Sequence, residues 1–129
     1  MENIKENLQI LINQKKEIKD STYIVNLDES GVYNGFTEKI NGTLKSIFVE
    51  IGEMQNLYIL VYLKDYPYVK ILDSQIKNNK SFFPVCHETG PEGGDWDPPS
   101  RRQYSLNDEL GISIEGIPNG KVKVVVRYE

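Results

Sequence analysis

Near the C-terminus Leu110, Ile112 and Ile114 alternate with Gly111, Ser113 and Glu115, and Val122, Val124, Val126 and Tyr128 alternate with Lys121, Lys123, Val125 and Arg127. A period of two puts one set of side chains on a buried face and the other in water, which predicts two β-strands. Between them Ile117-Pro118-Asn119-Gly120 offers the Asn-Gly pair that tight reversals favour, so the segment predicts a β-hairpin whose second arm runs to Glu129. Chain ends fray unless a sheet pairs them, and this end is therefore expected to be built into the fold.

Similar patterning continues upstream. Thr22 to Leu27 has β-propensity, and Asp28-Glu29-Ser30-Gly31 reads as a turn. Phe36 to Ile40, Asn41-Gly42 and Thr43 to Ile51 predict another hairpin, with Ile47, Val49 and Ile51 on one face and Leu44 and Phe48 on the other. In Leu57 to Leu63, Leu57, Ile59, Val61 and Leu63 alternate with Tyr58, Leu60 and Tyr62. A strand apolar on both faces is either central in a sandwich or covers a partner surface. Tyr68 to Leu72 and Ser81 to Val85 are shorter strands joined by a polar connection, Asp73 to Lys80, and Arg101 to Leu106 re-enters the sheet. Ile4, Leu8, Leu11, Ile12 and Ile18 fit a helix over residues 3–18, while Leu8, Ile10 and Ile12 also fit a strand, so residues 1–19 form an N-terminal helix or arm. The whole of 1–129 is expected to be a single all-β domain of roughly eight to ten short strands, an antiparallel β-sandwich of jelly-roll-like type.

Composition narrows the function. At 39% hydrophobic and 26% charged the chain is ordinary globular material. Its longest apolar run, Leu57 to Leu63, is far short of a bilayer span, so no membrane partner is expected. A net charge of −4 argues against nucleic acid, since phosphate neutralisation needs clustered Lys and Arg, and Lys15-Lys16 with Lys19 is interrupted by Glu17. The start of the chain lacks a basic n-region followed by an apolar h-region, which points to a cytoplasmic product.

Candidate chemistry is sparse. Cys86 excludes an internal disulfide, being the one cysteine, and the adjacent His87 would point to the opposite face of a continuing strand rather than activate its thiol. His87, Glu88, Glu92, Asp95 and Asp97 supply metal-ligand atoms without a spacing rule for zinc or an EF-hand pattern for calcium. Asp108-Glu109 reads as turn chemistry. No enzyme, metal or cofactor is expected. The stretch from Cys86 to Ser100 is too rich in Gly and Pro for helix or ladder, and it carries Trp96 between Asp95 and Asp97, with Arg101, Arg102 and Tyr104 following. Trp and Arg dominate interface hot spots, so this loop is either a binding site or a cap folded over one end of the sandwich.

The segment Tyr104 to Gly116, followed by Asn119-Gly120-Lys121-Val122-Lys123-Val124-Val125-Val126-Arg127-Tyr128-Glu129, resembles the ending of small structural proteins of tailed-bacteriophage virions. There, a polar turn, L-x-I-x-I-x-G and then G-K-V-x-V-x-V-x-Y close a β-sandwich. Gly42-Thr43-Leu44-Lys45-Ser46-Ile47-Phe48-Val49 is similar to an early strand of the same proteins. The resemblance implies a bacteriophage or prophage head, neck or tail accessory component, assembled in the bacterial cytoplasm and located in the virion. It brings no catalytic residues. A structural protein of this kind acts as an oligomer, by protein–protein interaction with copies of itself or other virion proteins. The surfaces expected to serve are the Trp96 loop and Leu57 to Leu63 with Tyr58 and Tyr62. The alternative is a carbohydrate-binding module, a glycan stacking on Tyr58, Tyr62, Tyr66, Tyr68 and Trp96.

Overall fold

A computed structural model describes residues 17–53, 56–87 and 101–129. The strands among them are β1 (Lys19–Asn26), β2 (Val32–Glu50), β3 (Leu57–Leu63), β4 (Lys70–Ile76), β5 (Lys80–Phe82), β6 (Val85–His87), β7 (Arg101–Gln103), β8 (Ser105–Glu115) and β9 (Lys121–Tyr128). All their pairings are antiparallel, and no helix occurs among the described residues.

The long strand β2 organises the rest. Its 19 residues would span roughly 60 Å if straight, so it bends and serves two layers in turn. Val32 to Thr43 pairs with β8, which pairs with β3, which pairs with β4. Leu44 to Glu50 pairs with β9, which pairs with β1, while β5 takes the other edge of β2 from Ile47 to Val49. One layer is therefore β1-β9-β2-β5 and the other β2-β8-β3-β4. Strands β6 and β7 form a separate ribbon.

Gly42 makes the corner. Its φ of 145° is a conformation that side chains disfavour, and a Cβ there would lie 2.5 Å from the Glu129 carbonyl oxygen. The next residues hand the strand across. Thr43 exchanges backbone hydrogen bonds with Glu129 at 2.8 and 2.9 Å, and the Leu44 amide donates to the Tyr104 carbonyl at 2.9 Å. A register shift against β9 between Leu44 and Ser46 keeps Leu44 on the buried side.

The inner faces of the two layers meet in one core. Val25, Ile47, Val49, Val122, Val124 and Val126 come from the first layer; Leu57, Ile59, Val61, Leu110, Ile112 and Ile114 come from the second. The alternation predicted for residues 110–114 and 122–126 is thus realised, as is the sandwich-like all-β architecture. Asp28 also turns the chain as expected. Its carboxylate accepts from the Ser30 and Val32 amides at 2.8 and 2.9 Å, and Gly31 follows at φ 77°.

Several pairings differ from the sequence reading. Asn41-Gly42 is no hairpin turn but the bend inside β2, and Leu44 is buried with Ile47 and Val49 rather than opposite them. The turn around Asn119 (φ 58°) reverses the chain, but β8 and β9 do not pair; β2 lies between them and the two strands enter different layers. Asp73 to Ile76 belongs to β4 and Asp108-Glu109 to β8, not to a connection and a turn. Of the expected re-entry at Arg101 to Leu106, β7 joins β6 alone among the strands, and β8 starts only at Ser105. At the N-terminal side Glu17 and Ile18 are non-helical and Lys19 already belongs to β1; the remainder of the predicted helix or arm, residues 1–16, lies outside the described residues.

Candidate functional site

The outer face of the second layer carries an apolar band that the register assembles. Cross-strand partners share a face, so three rows can be read directly from the pairings: Phe36, Gly111 and Tyr62; Asn34, Ser113, Leu60 and Asp73; Val32, Glu115, Tyr58 and Gln75. Phe36 is 54% exposed, and Tyr58, Leu60 and Tyr62 are half-buried. Gly111 matters because it has no side chain. The Tyr62 ring lies across it, and a Cβ at that position would stand 2.1 Å from Tyr62 Cζ. The Tyr62 ring therefore covers the Gly111 backbone, which is buried, beside Phe36, and Leu60 and Tyr58 extend the apolar band along β3.

Charges fix this band in place. Lys64 Nζ donates to Glu109 Oε2 at 2.8 Å and sits 5.1 Å from the centre of the Phe36 ring, a cation–π distance. The hydrogen bond to Glu109, and then its charge, raise the Lys64 pKa above the usual lysine range. The Tyr58 hydroxyl donates to Asp73 Oδ1, and that bond raises the phenol's pKa first, with desolvation and the carboxylates' charge behind it. Lys70 pairs with the same Asp73 at 3.5 Å. The result is an aromatic and aliphatic strip held by ion pairs on both sides, a composition suited to contact with another protein.

The other predicted site residues fall elsewhere. Tyr58 and Tyr62 stand on β3, whereas Arg101 and Arg102 are exposed on β7 of the separate ribbon. Tyr104 is half-buried and packs against the core, and burial, then an electrostatic contribution from nearby Cys86, raises its phenol pKa. Trp96, Asp95 and Asp97 lie outside the described residues, as do Glu88 and Glu92. Cys86 Sγ lies 3.5 Å from the Arg102 carbonyl oxygen, and the His87 backbone pairs with Arg101 across the ribbon. Among the described residues no three His, Cys, Asp or Glu side chains gather as a metal site would require. Tyr66 and Tyr68 are exposed in the β3–β4 connection, with ring centres 6.1 Å apart and planes at 77°.

Sequence reasoning missed Phe36, Lys64, Glu109 and Gly111. The signal for one of them was present: Gly111 is a glycine on the outward face of a strand whose inward positions are Leu110, Ile112 and Ile114, the pattern that invites a neighbouring ring to cover the backbone. No protein-family model matches this chain, and no curated protein matches it significantly.

Proposed function

We propose that the chain is a non-enzymatic structural protein that works by protein–protein contact, serving as a head, neck or tail accessory component of a phage or prophage virion. The observation that carries the contact reading is the outward band of Phe36, exposed, and Tyr62, Leu60 and Tyr58, half-buried, on a sheet whose other face already closes the core. The resemblance of residues 104–129 to virion proteins supplies the setting. The test is a double variant, Phe36→Asp with Leu60→Asp, expressed in a producing culture. Its circular dichroism and melting should match the parent, while mass spectrometry of purified particles should show incorporation reduced at least tenfold. Undiminished incorporation of the variant contradicts the contact surface.

A glycan-binding reading draws on the exposed Tyr66 and Tyr68 instead. Their edge-to-face arrangement offers one ring face at a time rather than a flat platform. Glycan-array signal that disappears in Tyr66→Ala and Tyr68→Ala would favour that reading over the first.

A further inference from the structure

The outer face of the first layer carries a groove of about 620 Å³ that the proposed contact band does not use. The register places Ile24, Lys123 and Glu50 in one row across β1, β9 and β2, with Lys121 opposite Asn26 two residues along. Glu53 and Ile117 also line the groove, and Ile24 and Ile117 are 57% and 51% exposed. The charges sort by strand, two lysines on β9 and two glutamates on β2 and the turn after it.

Among the described residues these charges are unspent. Asp20 and Arg127, opposed across β1 and β9 on the same face, close into a two-bonded pair at 2.9 and 3.2 Å. Lys123 and Glu50 are opposed in the same manner across β9 and β2. Yet among the described residues neither they nor Lys121 and Glu53 form an ion pair.

We infer that this groove is the contact of a two-fold dimer of the chain. A contact between identical surfaces must carry both halves of its own complementarity. A two-fold axis running along the strands between β9 and β2 lays the lysine column of each copy over the glutamate column of the other. Lys121 and Lys123 of one copy then meet Glu50 and Glu53 of the second, and the same contact occurs again in reverse, with Ile24 and Ile117 adding apolar area. An acidic or a basic peptide would satisfy one column and be repelled by the other, so the charge pattern selects a second copy over either. The inference is independent of the virion setting, because dimerisation is a property of the purified chain and incorporation is read in particles.

Sedimentation velocity of the full chain tests it, with Lys121→Glu/Lys123→Glu as one variant and Glu50→Lys/Glu53→Lys as the other. The parent should dimerise, each variant should sediment as a folded monomer, and an equimolar mixture of the two should recover the dimer. A parent that stays monomeric, variants that still dimerise, or a mixture that stays monomeric would each overturn the inference. A readout that needs no variant is salt: at about 1 M, where the Debye length falls to about 3 Å, the parent dimer should weaken, and an unchanged dimer contradicts the charge pairing.

Discussion

Among the described residues Tyr23 carries the buried side-chain polar group that the fold leaves unsatisfied. It stands on the inner face of β1 opposite Val124, packed against the core, and its buried hydroxyl has no hydrogen-bond partner among the described residues. Desolvation raises its phenol pKa above the ordinary value; the Ser21 and Thr37 hydroxyls lie close enough to temper the rise, without bonding geometry. Ser21 Oγ is committed to Glu38 Oε1 at 2.8 Å, and Thr37 Oγ1 donates to the Glu38 carbonyl at 2.6 Å while accepting the Leu110 amide at 3.0 Å. An unpaired hydroxyl contributes a desolvation cost and no bond. Tyr23→Phe should therefore leave stability unchanged or raise it by up to about 1 kcal/mol in urea titration. A raised folded pKa means that the neutral phenol's contribution is complete below the unfolded value of about 10 and is lost as pH rises through the folded one. The parent should lose stability at alkaline pH more steeply than Tyr23→Phe. A variant clearly less stable at neutral pH would show that the hydroxyl is bonded after all.

At the scale of elements, β2 decides what was legible. Alternation in residues 110–114 and 122–126 told which side chains are buried, because a period of two needs no knowledge of neighbours. It could not tell which strand lies beside which. Asn119-Gly120 marks a reversal, and a reversal serves a hairpin or an arch between layers equally well; the insertion of β2 between β8 and β9 makes it an arch. Asn41-Gly42 carries the same ambiguity, since a residue tolerant of positive φ can end a strand or bend one. The polar run at Asn107-Asp108-Glu109 resembled a turn because it is continuously polar, yet it lies within β8, and Glu109 is engaged by Lys64, a partner 45 residues away in sequence. The contact band shares that limit: Phe36, Gly111 and Tyr62 are neighbours only through pairings that composition does not encode. The corner makes a definite prediction. Gly42→Ala must hold a side chain at φ 145° and press its Cβ onto the Glu129 carbonyl. It should cost at least about 2 kcal/mol of unfolding free energy, read as a lowered urea midpoint. A midpoint equal to the parent's would mean that the layers are not joined there as described.

At the scale of the molecule, two layers share one core, and each outer face carries a different kind of surface. The second layer offers an apolar band bracketed by ion pairs; the first offers a charge-sorted groove. The two proposed contacts, one with an unlike partner and one with a copy, would let a small protein both pair and attach. Side-chain footprinting by hydroxyl radicals reads the proposed attachment, comparing the purified chain with the same chain in particles. Labelling of Phe36 and Tyr62 should fall severalfold in the particle. Equal labelling of both residues in the two states, or particles that do not contain the chain, would contradict it.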